Sequence, residues 1–177
     1  MNVYINTIAA VAILAIAFSF VLFANTMATA KTLAEVATPP LPIYSKIYDD
    51  TRDPFKDAAA ALSLAKKTNR QVLIEVGGNW CSWCTKMDTF LTNNPNVYDA
   101  LHSQYVLLKI NVSDSNENNA FMKSLPPVQG YPHIYVSSAE GKMLVSKDTA
   151  EFYIDNAYSR KAWLEFIQTY KAINPQS

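Results

Sequence analysis

The apolar residues change their spacing several times along the chain, and each change marks an element. Residues 8–24 form a nearly unbroken apolar run. Nothing polar marks an outward face, so the run does not fit a helix buried in a globular core. Residues 31–50 contain Pro39, Pro40 and Pro42, which remove backbone donors and favour extended chain. That stretch reads as a linker, with a short strand over residues 43–48 near its end. Asp53 and Pro54 then open a helix, because Asp is a good N-cap and Pro fits the first helical position. The Ala-rich run 55–67 continues it, and Asn69 stops it.

Residues 71–76 are apolar and β-branched and end at Gly77-Gly78, the pattern of a buried strand. A helix is expected from Cys81 to about Leu91, with another turn or two over residues 95–103. Residues 105–112 give a second buried strand, 114–119 a polar loop, and 119–125 a short helix that Pro126 and Pro127 end. Two strands follow, 133–137 and 142–146, joined by a turn at Ala139-Glu140-Gly141 in which Gly141 can take positive φ. Residues 159–173 form an amphipathic helix with Trp163, Phe166, Ile167 and Tyr170 on one stripe. This order of elements is that of an α/β layer fold, a mixed central sheet flanked by helices.

The chain has 177 residues, half of them apolar, enough for one domain with a core plus accessory segments. Fifteen Lys and Arg balance fifteen Asp and Glu, which gives no basis for nucleic-acid binding. None of these charges falls in residues 1–30. Ala28-Thr29-Ala30 follows the apolar run and is a small-x-small triplet of the kind a signal peptidase accepts. Residues 1–30 therefore read as an export signal cleaved after Ala30. The run is also close to the lower limit of a membrane span, so an uncleaved anchor over residues 8–24 is the alternative. Either way the linker 31–50 and a folded domain 51–177 are expected outside the cytoplasm, in a periplasm or its equivalent.

The two cysteines are Cys81 and Cys84. A bridge between residues three apart closes a tiny loop and restrains little of the unfolded chain, so it is a poor structural staple. After a strand and two glycines, at a helix start, the pair fits a reactive arrangement. Unpaired N–H groups and the positive end of the helix dipole stabilise a thiolate at Cys81. Such placement lowers a thiol pKa from about 8.5 into roughly the 3.5–7.5 range. Cys81 is thus the exposed attacking sulfur. Cys84, one turn on and less exposed, resolves a mixed disulfide by attacking Cys81. A zinc or copper site would need more ligands. His102, His133 and five methionines are the remaining candidates, and no second pair has metal-site spacing, so neither metal nor other cofactor is expected.

The run Val72-Leu73-Ile74-Glu75-Val76-Gly77-Gly78-Asn79-Trp80-Cys81-Ser82-Trp83-Cys84 resembles the strand–turn–helix active site of thioredoxins. It looks closest to the exported thioredoxin-like group that includes the C-terminal domain of the bacterial transmembrane disulfide reductase. The resemblance extends over about residues 53–173. It implies a thioredoxin-like fold and protein-disulfide oxidoreductase chemistry. It also implies that Pro132 of Gly130-Tyr131-Pro132 is cis and faces the cysteines. Tyr131 would then offer backbone hydrogen bonds to an extended substrate, and Pro132 would shape the groove.

By the same resemblance, Glu75 matches an acidic residue, usually Asp, that shuttles a proton for the resolving cysteine. Glu75 is therefore the candidate general acid/base for Cys84. Lys109 matches a lysine that pairs with this acid; the alternative is an exposed strand residue. Trp80 matches the tryptophan beside the nucleophile and is expected to contact substrates. Trp83 stands where thioredoxins proper have proline, so their redox poise does not carry over. Lys86 reads as a solvated charge, and His133 as a residue that faces solvent or, alternatively, tunes the site. The implied role is a monomeric reductase of disulfide-containing proteins, recharged by a membrane electron donor. Two other readings remain open: a redox-inert protein-binding module, and a specialised reductant in haem- or copper-protein maturation.

Overall fold

The computed structural model describes residues 40–171. The apolar run 8–24, the Ala28-Thr29-Ala30 triplet and Ile173 lie outside the described residues. Among the described residues no helix is long and apolar enough to cross a membrane.

Helix α1 (Pro54–Thr68) starts as its sequence dictates. The Asp53 carboxylate accepts from the Phe55 and Lys56 amides at 2.9 and 3.2 Å. Asn69 ends it in the left-handed region, at φ 52°. Strand β1 (Gln71–Gly77) leads through α2 (Ser82–Thr92) and α3 (Pro95–Gln104) to β2 (Tyr105–Asn111). Next come the single turn α4 (Asn119–Met122), then β3 (His133–Ser137) and β4 (Met143–Asp148). Gly141 turns between those strands at φ 87°. Helix α4 stops short of residue 125 because a residue before proline is pushed out of helical geometry, and Leu125 precedes Pro126.

The sheet order is β2-β1-β3-β4, with β1 and β2 parallel and the other pairs antiparallel. This is the expected mixed sheet. Alternate residues of β1 and β2 enter two cores. Leu73, Tyr105 and Leu107 pack with Met87 and Leu91 of α2 and with Val97 and Leu101 of α3. Val72, Ile74, Val76 and Leu108 pack on the other face with Ala61 and Ala65 of α1. The register sets Glu75 opposite Lys109 on the face that α2 covers.

Other expectations need correction. Residues 43–48 form no strand. Ile43–Ser45 is a 3₁₀ turn that buries Tyr44 in the α1-side core, and Tyr48 is buried beside the cysteines. Pro42 lacks the N–H a ladder would use, and side chains hold the segment down instead, with Ser45 Oγ donating to the Leu107 carbonyl. This part of the linker therefore belongs to the domain. Helix α5 (Arg160–Thr169) ends before Tyr170, whose half-exposed ring lies against Phe166 rather than in the buried stripe. Between β4 and α5 a 3₁₀ turn (Thr149–Phe152) and a tiny hairpin, β5 (Tyr153–Ile154) and β6 (Ala157–Tyr158), occupy a stretch with no assigned element. Asp155 and Asn156 turn the hairpin at φ 51° and 63°, the conformation short polar residues tolerate best.

Candidate active site

The strand β1 delivers the chain to Gly77-Gly78, and a tight turn follows in which the Cys81 amide donates to the Gly78 carbonyl at 3.0 Å. Cys81 is thereby held extended as the N-cap of α2, where its Sγ accepts from the Cys84 amide at 3.1 Å. A sulfur occupies the place of the usual capping oxygen, aimed at the unpaired donors of the first turn. Cys84 sits in that first turn, and the two sulfurs are joined as a disulfide with their Cα atoms 5.2 Å apart.

Cys81 is far less open than expected. It is 4% exposed, against 1% for Cys84, because Tyr48 and Tyr131 pack over the pair. Gly77 makes the packing possible. A methyl group there would stand 2.5 Å from Cys84 Sγ and 2.8 Å from the Tyr48 hydroxyl.

The rim is aromatic. Trp80 is 57% exposed, anchors its Nε1 on the Val112 carbonyl at 2.6 Å, and meets Tyr131 edge-on at a centroid distance of 5.4 Å. Trp83 is 45% exposed and meets Tyr153 edge-on at 4.9 Å. Lys86 is an exposed charge, and it is also engaged. Its ammonium lies 4.5 Å from the Trp83 ring centre and 4.4 Å from that of Tyr153, and it donates to the Tyr153 hydroxyl at 2.7 Å. The Tyr131-Pro132 bond is cis, as expected. Beside it runs a groove of about 340 Å³ lined by Trp83, Tyr131, Pro132, Thr149, Tyr153 and Tyr158.

Beneath the pair lies a buried polar cluster. Glu75 accepts from the Tyr48 hydroxyl and from Lys109 Nζ at 3.3 Å. Lys109 also donates to both oxygens of Asp88 at 2.6 Å, and its ammonium lies 4.7 Å from the Tyr48 ring centre. Lys109 is therefore buried and paired rather than exposed. Burial raises the Glu75 pKa, with the Lys109 charge opposing it. Burial works against the Lys109 charge, but Glu75 and Asp88 outweigh it and raise that pKa. Tyr48 is held well above an ordinary phenol by burial and by the Glu75 charge.

His133 does not face solvent. It is 1% exposed, its Nε2 pairs with Ser146 Oγ at 2.9 Å, and its Nδ1 has no partner among the described residues. Strand β3 is fully buried, so none of its positions opens to water. Burial lowers the His133 pKa, partly offset by Asp148. Among the described residues no three His, Cys, Asp or Glu side chains converge on a point where a metal could bind.

Residues 53–139 match a family model described as thioredoxin-like. The chain carries a thioredoxin-like domain. The match spans α1, the Cys-x-x-Cys turn, both parallel strands and the cis-proline strand. No curated protein matches the chain. Among solved structures, a disulphide isomerase from Xylella fastidiosa Temecula1 is 24% identical, with a TM-score of 0.57, covering 75% of this chain and 98% of that one. The C-terminal domain of Neisseria meningitidis DsbD, in its oxidised form, is 19% identical with a TM-score of 0.52, covering 67% of this chain and 97% of that domain. Its reduced form gives the same values. These likenesses establish the thioredoxin-like fold.

The thioredoxin-like domain brings together Cys81, Cys84, Trp80, Trp83, Tyr131 and Pro132 around one surface, with Glu75 and Lys109 below it. Tyr48 and Asp88 in the buried cluster, and Thr149, Tyr153 and Tyr158 along the groove, were not expected from the sequence. Asp88 lies four residues beyond Cys84, the spacing that puts both on one helix face, so that signal was present. Tyr48 lies in a proline-flanked segment far from the motif, and nothing local connects it to the cysteines.

Proposed function

We propose that this protein is an exported thiol–disulfide oxidoreductase that reduces disulfides of protein substrates. The observation that carries the reading is the Cys81–Cys84 disulfide at the N-cap of α2, packed against Tyr131 of the cis Tyr131-Pro132 bond. In the reduced form the Cys81 thiolate gains from the same amide donors and dipole that now face its sulfur. It attacks a substrate disulfide, one substrate sulfur leaves as a thiolate, and a mixed disulfide forms. Cys84 then gives up its proton to Glu75 and attacks Cys81 Sγ. The second substrate thiolate departs and the Cys81–Cys84 bond re-forms. A buried carboxylate with raised proton affinity is suited to hold that proton.

An extended substrate segment would pair with the Tyr131 backbone and lie in the adjoining groove, with Trp80 and Trp83 as contacts. The uncharged run 8–24 and the Ala28-Thr29-Ala30 triplet support export to a periplasm, as a cleaved or a tethered monomer. In an oxidising compartment a reductase needs a supply of electrons, and a dithiol on a membrane donor fits that need. The fold shared with a protein described as a disulphide isomerase is in keeping with this chemistry.

The test is insulin reduction with dithiothreitol as donor, together with trapping in the native compartment. Cys84→Ser should capture protein partners covalently, and Cys81→Ser should capture none and lose turnover. No turnover by the wild type, with no captured partner, would leave the fold as a binding module.

A further inference from the structure

We propose that the Tyr48 hydroxyl is a catalytic proton relay between Cys84 and Glu75, an inference that rests on the proposed disulfide reduction. Glu75 makes side-chain hydrogen bonds to Tyr48 and Lys109 and to neither cysteine. Tyr48 is the group that touches both ends. Its ring packs on Cys81 and Cys84, and its hydroxyl donates to Glu75. The hydroxyl and Cys84 Sγ crowd the same backbone position, where a methyl on Gly77 would meet both. Tyr48 is itself held from two sides, by Asn79 Nδ2 donating to its carbonyl at 3.0 Å and by the Lys109 ammonium beneath its ring.

The step balances as one transfer. Cys84 S–H passes its proton to the Tyr48 oxygen while the phenol proton passes to the Glu75 carboxylate. Cys84 sulfur forms its bond to Cys81 Sγ with the electron pair left behind. The bond from Cys81 to the substrate sulfur breaks, and that sulfur leaves as a thiolate. Tyr48 ends as a neutral phenol and Glu75 as a neutral acid. Tyr48 resists becoming a phenolate beside Glu75, which requires the two proton movements to be coupled. Lys109, itself paired with Asp88, keeps Glu75 in place.

The two chemical steps separate when the reduced protein reacts with 5,5′-dithiobis(2-nitrobenzoate). The first chromophore leaves when Cys81 attacks, and the second when Cys84 displaces it from Cys81. Tyr48→Phe keeps the ring and removes the hydroxyl. The second phase should slow at least ten-fold while the first stays within two-fold of wild type. An unchanged second phase, or equal slowing of both, overturns the relay. Tyr48→3,5-difluorotyrosine preserves the packing and changes only the phenol acidity, so it serves if the phenylalanine variant does not fold. It should shift the second phase at least two-fold and leave the first alone; a second phase equal to wild type overturns the relay. Insulin reduction by the wild type with a normal second phase in both variants would remove the relay alone, whereas absence of insulin reduction would remove the proposed function with it.

Discussion

Gly77 leaves no room for a methyl group. Its missing side chain lets a sulfur and a phenol sit over the same stretch of backbone. Gly77→Ala must push one of them aside, and overpacking of this kind costs about 1–3 kcal/mol. The expected result is a lower urea midpoint and slower closure of the Cys81–Cys84 bond; an unaltered midpoint would show that the neighbours yield freely. Tyr131 raises the opposite question, because it helps cover a sulfur that must be reached. Tyr131→Ala should let dithiothreitol reduce the disulfide several-fold faster while weakening insulin turnover; an unchanged reduction rate would mean that other groups gate the sulfur. At this scale legibility followed locality. Cys81, Cys84, Trp80 and Pro132 announce themselves through neighbours in sequence, because the turn that arms a helix-capping thiol is built from adjacent residues. Tyr48 reaches the site only through tertiary packing, and His133 is buried because strand β3 is covered on both faces and has no open side.

Among the elements, the two ends of α1 were the most readable, because a cap is a hydrogen bond within a few residues: Asp53 and Asn69 stand where their chemistry places them. The segment 43–48 was the least readable. Proline spacing argues for extended chain, yet what fixes the segment is the burial of Tyr44 and Tyr48 against surfaces made by distant strands. The hairpin at Asp155-Asn156 has turn residues ordinary for positive φ, but its strands are two residues each and too short to show a pattern. A chain that starts at Thr51 loses both buried tyrosines and the Ser45 bond to Leu107. At roughly 25 cal/mol per Å² of apolar surface, that loss should reach at least about 3 kcal/mol. Urea unfolding of chains beginning at Leu41 and at Thr51 measures it, and equal midpoints would restore the segment to the status of a linker.

For the whole molecule, the balance of buried titratable groups sets how stability responds to acid. His102 is partly buried, and burial together with the nearby Arg70 charge lowers its pKa to about 4. His133 shifts the same way through burial. A base whose folded pKa is depressed contributes stability above its ordinary value of 6.5, and that contribution is lost as pH falls toward the folded value. Glu75 acts in the opposite sense. Its folded pKa is raised, so its contribution is full below 4.5 and fades as pH climbs through the folded value. Lys109 opposes the Glu75 shift, whereas two imidazoles act together on the other side, so the histidines should prevail between pH 6.5 and 4. The His102 contribution is on the order of 1 kcal/mol, because solvent screens its partly exposed ring. The oxidised protein should therefore melt at a lower temperature at pH 4.5 than at pH 7. His102→Gln should flatten that decline, and Glu75→Gln should steepen it by removing a group that opposes it. A decline that His102→Gln leaves untouched would mean that the imidazole is already solvated in the folded chain, and that acid sensitivity arises elsewhere.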